Sequence, residues 1–425
     1  MKVLLLNQCF YPDVMATAQQ LTTLAQELAE RGHAVTVIAS DRGYDDPWDR
    51  FASFETWEGI TIIRIPSLAF GKAAKWRRAL NFATFLINCA LRLLLLPRFD
   101  VVIALTSPPL ISVLGSLFVQ LKGGRFCFWV MDLNPDEAVA AGWLKEGSLT
   151  ERILDGFLRY SLRHTESVIV LDRFMKQRIL AKGIPAERIA VVPPWDLGDE
   201  ISYDEVGRKS FRERHNLSES FVVMYSGNHS PCHPLDTLLE AAQRLSARKE
   251  IAFCFVGGGS EQRKVKAFAA RHNLSNITCL PYQPLDELSG SLSSADLHAV
   301  VMGDEFTGIV HPCKVYNILT IGTPILYIGP QESHVGDIAA QTQNEYAVYQ
   351  ARHGQAERVV GHILEAAGQK SLRRSRSASA WVSSFRKDAL LPRMIELLEA
   401  KAVNRDPQTV NREPKAENRK LTTDF

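Results

Sequence analysis

The chain opens on a short apolar run, KVLLLNQ, and returns to runs of this kind at regular intervals. HAVTVIAS, DVVIALTSPP, RFCFWVMDLNP and TESVIVLD are nearly continuous apolar segments of strand length. GITIIRIP alternates instead, and ERIAVVPPW is shorter. Between the first two runs, residues 15–31 place apolar side chains at helical spacing and stop at Arg31-Gly32. Strands interleaved with helices imply parallel strands joined by crossover helices, and so an α/β doubly wound sheet.

Residues 196–218, DLGDEISYDEVGRKSFRERHNLS, are polar and break this rhythm. They read as a linker and the entry to a second domain. The alternation then restarts with strands at FVVMYSGN, IAFCFVGGG, NITCLPY, DLHAVVM and TPILYIGP, separated by helical patterns. The pattern therefore predicts a first Rossmann-like domain over residues 1–200 and a second over 201–370. A closing helix falls within 371–400, and a polar tail without apolar periodicity, expected to be disordered, covers 401–425. Two such halves would face each other across a cleft lined by strand C-terminal ends, where ligands of open α/β sheets bind.

One segment departs from the pattern. Residues 79–96, ALNFATFLINCALRLLLL, approach the length of a membrane span and follow Lys72, Lys75, Arg77 and Arg78. Asn81, Asn88 and Arg92 interrupt the run. A core helix packed on the sheet and a helix lying in a membrane interface, its basic group on anionic headgroups, both fit. The N-terminal apolar run is too short for the core of a signal peptide. With 46% apolar and 23% charged residues, the composition is that of a globular protein. A net charge of +2 gives no reason to expect nucleic acid as a partner. The seven cysteines are scattered, with no C-x-x-C pair, which indicates reduced thiols and a cytoplasmic protein, peripheral on the inner face of the membrane if the interfacial reading holds.

The first βα turn, NQCFYPDVMATAQQ, has no glycine, so the dinucleotide fingerprint is absent. The second half does carry glycines at strand ends: Gly227 after MYS, and Gly257-Gly258-Gly259 after CFV. Glycine there lets backbone N–H groups approach a phosphate, though such turns also serve simply to start a helix. In HPCKVYNILTIGTPIL, Lys314 stands at the mouth of a helix that should end at Gly322. A lysine at a helix N-terminus is a natural place for a diphosphate.

These segments together resemble a GT-B fold glycosyltransferase of family 4, of the bacterial O-antigen, capsule and exopolysaccharide type. The resemblance spans roughly residues 1–400. It rests on LAQELAERGHAVTVIA, VMDLNPDE, VVMYSGNHSPCHPLDTLLEAA, FVGGGSEQRKVK and HPCKVYNILTIGTPIL, in that order. The chain also departs from the family's pattern. Met15-Ala16 stand where many members carry a Gly-Gly pair. Asn228 and His233 stand where many carry a cationic pair. Ile309 and Asn317 fall where many have two glutamates.

The resemblance implies a retaining, metal-independent transferase without a cofactor. It would move a sugar from a nucleotide-sugar donor to a polysaccharide or lipid-linked precursor. Loss of a nucleoside diphosphate leaves an oxocarbenium-like centre, so catalysis depends mostly on stabilising the departing diphosphate. Carried onto this chain, the donor-binding set is Gly227, Asn228, His233, Gly257, Gly259, His311, Lys314 and Asn317, with Lys264 or Arg263 as a second cation. Asp132, at the end of a buried strand, is the candidate to orient or deprotonate the acceptor hydroxyl, and capping a helix is its alternative role. Asp136 and Glu137 read more simply as first-turn acids, Tyr282 as a packing residue, and His334 as a possible neighbour of the same cleft. A nucleotide-sugar epimerase of the same fold, recognisable by a carboxylate-rich cleft, and an inactive nucleotide-sugar-binding scaffold are the alternatives.

Overall fold

The computed structural model describes residues 1–13, 15–43, 49–68, 75–196, 201–342, 346–369 and 383–400. Met15 and Ala16 are among them. Lys72, the side chains of Lys75 and Arg78, and the 401–425 tail lie outside the described residues.

The first domain is built on eight strands: β1 (Lys2–Leu6), β2 (Ala34–Ser40), β3 (Phe54–Trp57), β4 (Ile60–Ile65), β5 (Val101–Ala104), β6 (Arg125–Trp129), β7 (Ser167–Val170) and β8 (Ile189–Val191). Their order across the sheet is β3-β4-β2-β1-β5-β6-β7-β8. Every pairing is parallel except β3 with β4, a hairpin that the sequence pattern did not show. Despite the alternation in GITIIRIP, β4 is buried along almost its whole length, its Arg64 paired with Glu55 of β3. The runs without alternation are the central strands, which helices cover on both faces.

The second domain repeats the design with six parallel strands: β9 (Phe221–Ser226), β10 (Ile251–Val256), β11 (Ile277–Leu280), β12 (Leu297–Val301), β13 (Ile325–Ile328) and β14 (Val348–Ala351). Their order is β11-β10-β9-β12-β13-β14. The order reverses between β9 and β12, and a crevice for ligands opens at such a switch point.

Local sequence explains the helices that position these strands. The helix Ala16–Glu30 buries Ala18, Leu21, Leu24, Ala25 and Leu28, one stripe at i, i+3, i+4 spacing. Gly32, at φ 81°, turns the chain into β2. Leu24 has no exposed surface, so Leu24→Ala would cost about 2–5 kcal/mol.

The segment read as a linker holds the helix Glu205–Arg214, capped by Asp204. Arg208 and Arg212 reach from it to Asp296, at 2.7 and 3.0 Å, in front of β12. The closing helix, Lys387–Glu399, returns to the first domain. Leu390, Leu391, Met394, Ile395 and Leu398 join that domain's core, and Glu399 meets His33 at 2.8 Å.

The apolar segment lies in the helix Lys75–Leu95. Phe85, Cys89 and Leu93 are buried against the sheet, while Trp76, Leu80, Ile87, Leu91, Leu94 and Leu95 are exposed. The buried face bears out packing on the sheet, and the opposite face is apolar and exposed. Among the described residues no helix is long and apolar enough to cross a membrane.

Candidate active site

The C-terminal ends of the two sheets meet. Leu133, past the end of β6, donates its N–H to the carbonyl of Ile309 at 2.9 Å. Arg178 Nε donates to the Thr307 carbonyl at 2.7 Å, and Arg173 pairs with both carboxylate oxygens of Asp337 at 2.6 and 2.8 Å. The loop after β12 is thereby closed down on the first domain.

On the second-domain side, two glycine turns touch. A Cβ on Gly257 would fall 2.1 Å from the Gly227 carbonyl oxygen, and one on Gly259 would fall 2.4 Å from that of His229. Both positions, and Gly227, have φ between 123° and 131°, where side chains are strained. The His229 N–H donates to Gly258 O at 2.7 Å, which locks the turns together. Asn228 is exposed on the first turn, and its Oδ1 lies over Gly259. Tyr282 packs its ring edge against Gly258.

Lys314 is the first residue of the helix Lys314–Ile321, which ends at Gly322 in the left-handed region, φ 79°. Its side chain runs back along the glycine turn, 3.1 Å from where a Cβ of Gly227 would be. The ammonium lies 3.6 Å from the centre of the Tyr225 ring. It is shielded from water and has no hydrogen-bond partner. Burial pulls its pKa down to about 7. Around it stand three imidazoles. Burial, with the lysine's charge, pushes His229 down to about 4 and His233 down to about 3. His298 falls to about 4 for the same reasons, burial first. His233 Nδ1 is engaged with the Val301 carbonyl at 2.7 Å, and His298 Nε2 with Leu292 at 2.9 Å, so both are held in place. The His229 ring packs against the Tyr225 ring, 4.8 Å between centres.

Asp132 lies on the opposite wall. Burial, and then the Glu137 charge, raise its carboxyl to about 8. The next residue, Leu133, bonds the Ile309 carbonyl, so Asp132 stands at the seam where the first domain meets the loop leading to Lys314. Glu137 accepts from Asn134 Nδ2 at 2.9 Å and from the Cys232 thiol at 3.7 Å, so it does more than serve the helix dipole. Lys182 draws Asp136 away, at 2.9 Å.

The structure thus brings Gly227, Asn228, Gly257, Gly259, His233 and Lys314 together. Lys264 stands apart: its side chain is 71% exposed and pairs with Glu261 at 2.5 Å. Asn317 is half-buried one turn beyond Lys314, whereas the Ile309 side chain is buried in the core. His311 is buried, hydrogen-bonded to Asp172 at 2.8 Å and to Tyr316 at 2.7 Å, and stacked 3.7 Å from His334. His229, Asp172 and Tyr225 escaped the sequence reading. His229 is two positions past a strand-end glycine, a spacing that could have flagged it. Asp172 ends the run TESVIVLD, and nothing local distinguishes it from an ordinary helix cap.

Comparison with known proteins agrees with this architecture. Residues 16–195 match the model of the glycosyl transferase 4-like domain, and residues 207–378 match that of the glycosyl transferases group 1. A curated Escherichia coli (strain K12) protein, named as a candidate glycosyl transferase of colanic acid biosynthesis, WcaI, is 25% identical over 335 residues. That stretch covers 76% of this chain and 82% of the relative. Sucrose-phosphate synthase from Thermosynechococcus elongatus superposes with a TM-score of 0.73 at 13% identity, covering 94% of this chain and 98% of its own. Anabaena HepE in complex with UDP-glucose superposes with a TM-score of 0.68 at 15% identity, covering 94% and 99%. The two sheets, the cleft between them and the pair of domain models that together span most of the sequence make one statement: the chain belongs to the GT-B fold glycosyltransferases of family 4.

Proposed function

We propose that this enzyme is a retaining glycosyltransferase that uses a nucleoside-diphosphate sugar and extends a polysaccharide or lipid-linked precursor. The observation that carries the donor reading is Lys314, a buried ammonium with neither an anion nor a hydrogen-bond acceptor beside it. A buried unpaired cation is costly, and a ligand that brings negative charge removes that cost. The glycine turns beside it carry no side chains at Gly227, Gly257 and Gly259, which leaves the lysine side of the cleft open, although the Gly227 and Gly257 N–H groups are themselves spent on the Val256 and Leu280 carbonyls. The complex of Anabaena HepE with UDP-glucose supports the same donor class.

In this reading Lys314, the helix N-terminus it opens and the glycine turns neutralise the departing diphosphate, so that transfer proceeds without a metal. Asp132, protonated at neutral pH, holds the acceptor hydroxyl by donating or accepting a hydrogen bond rather than acting as a free base. The acceptor reading draws on the colanic acid name of the Escherichia coli relative and on the apolar surface of the first domain. The helices Lys75–Leu95, Ile111–Lys122 and Leu149–His164 pack side by side. They expose Ile87, Leu91, Leu95, Leu121, Leu149 and Ile153, along with Arg77, Lys122 and Arg152. Apolar side chains rimmed by cations suit an anionic bilayer surface. A thermal-shift panel of nucleotide sugars, followed by transfer assays on lipid-linked acceptors, tests the reading. Stabilisation by one donor and product formation with retained anomeric configuration are expected. Tight donor binding with no transfer to any acceptor would contradict it.

A further inference from the structure

The loop that carries Lys314 is tied to the other domain by a relay of buried side chains. Asp172 lies two residues past β7 and caps the helix Arg173–Ala181, its Oδ1 accepting the Met175 N–H at 2.7 Å. Its Oδ2 is 2.8 Å from His311 Nδ1. An ionised carboxylate can only accept, so Nδ1 carries the proton and Nε2 accepts the Tyr316 hydroxyl at 2.7 Å. Burial opposes the charge on Asp172, but the His311 hydrogen bond and the two imidazoles overcome it and hold the carboxyl at about 2. His334 covers the relay from the second domain, its Nδ1 4.0 Å from Asp172. The ligand atoms of Asp172, His311 and His334 lie within 4.8 Å of one another, as in a metal site. Both ring nitrogens of His311 are committed to hydrogen bonds, however, which leaves it no lone pair for an ion.

Tyr316 sits on the same helix as Lys314, two residues along. A carboxylate of the first domain is therefore linked through two hydrogen bonds to the element that aims the lysine. The relay is flanked by the contacts that close the cleft: Leu133 to Ile309, Arg178 to Thr307, and the backbone of Phe174 against Gly308. We propose that Asp172 is a positioning residue for sugar transfer. By holding His311 from the opposite domain, it latches the loop of residues 303–313 in the closed arrangement and so fixes Lys314 relative to the acceptor wall. Its effect on transfer rests on the reading of Lys314 as the donor cation; the latch itself does not.

Hydrogen exchange of the Leu133 amide in the full chain reads the latch directly, because that amide's partner lies in the other domain. Asp172→Ser keeps a good helix cap but cannot reach His311. It should speed exchange at Leu133 at least tenfold, with protection of β1 and β9 unchanged and UDP affinity within threefold of the parent. Asp172→Asn keeps the cap and can donate to His311 Nδ1 in its other tautomer, so it should restore most of the protection. Unchanged exchange at Leu133 in Asp172→Ser would overturn the latch. So would a general loss of protection in both variants, which marks a purely structural role. Failure of the parent protein to bind UDP would count against Lys314 as the donor cation, and the Leu133 readout would still decide the latch.

Discussion

The Lys314 ammonium faces the Tyr225 ring at 3.6 Å, while the Tyr225 hydroxyl turns away to donate to the Asn228 carbonyl at 2.7 Å. The ring offers the cation its negative face, and the hydroxyl ties strand β9 to the glycine turn. A desolvated contact of this kind contributes about 2 kcal/mol. Dehydrating an ammonium costs several kcal/mol, so the ring does not balance the burial.

That imbalance has a pH signature. The folded pKa of Lys314, about 7, lies below its ordinary value of 10.5. Between those values the unfolded chain binds the extra proton, so stability should rise with pH from about 7 to about 10. Urea unfolding of the parent and of Lys314→Met at pH 7 and pH 9 checks this. The parent should gain stability at the higher pH relative to the variant, and Lys314→Met should be the more stable protein at pH 7.

Asp132 carries the opposite sign. Its carboxyl, ordinarily near 3.8, is raised to about 8, so the folded state holds the proton. Its contribution is favourable below about 4 and is lost as pH rises toward 8. Asp132→Asn should flatten that part of the stability profile and leave the melting temperature at pH 8 unchanged or higher. Turnover should fall at least tenfold with UDP affinity unchanged, measured by initial rates and titration.

Gly257→Ala places a Cβ 2.1 Å from the Gly227 carbonyl oxygen, in a backbone region that favours glycine. Neither backbone can yield without opening the paired turns. A loss of about 2–4 kcal/mol in chemical unfolding, together with weaker UDP binding, is expected.

The apolar face is separable from the core. Leu94 and Leu95 are exposed, while Leu93 is 4% exposed. Leu94→Ser with Leu95→Ser should reduce sedimentation with vesicles containing phosphatidylglycerol and leave the melting temperature within a few degrees. Leu93→Ser should lower the melting temperature whether or not vesicles are present.

The two-domain plan was legible because buried parallel strands write themselves as apolar runs, and GT-B membership followed from ordered turns such as Gly227, Gly257 and Gly322. The β3–β4 hairpin was not legible, since FETW carries too few apolar residues to stand out. Nor was the return of Lys387–Glu399 to the first domain, because an amphipathic helix does not state which core its stripe enters. Lys314 could be found from its place before a helix. Its partner Tyr225 could not, because a tyrosine ending a strand looks like core. Asp172 and His311 are far apart in sequence and meet only when the domains close, so the local pattern carried no trace of the pair.

The central claim is that Lys314 is the cation for the donor diphosphate. Calorimetric titration of UDP into the parent protein and into Lys314→Met, at pH 7.5 in two buffers of different ionisation enthalpy, tests it most directly. The account predicts proton uptake on binding to the parent, as the anion restores the lysine's charge. It also predicts an affinity at least about 30-fold weaker in the variant, about 2 kcal/mol. Equal affinity in both proteins, with no proton uptake, would contradict it.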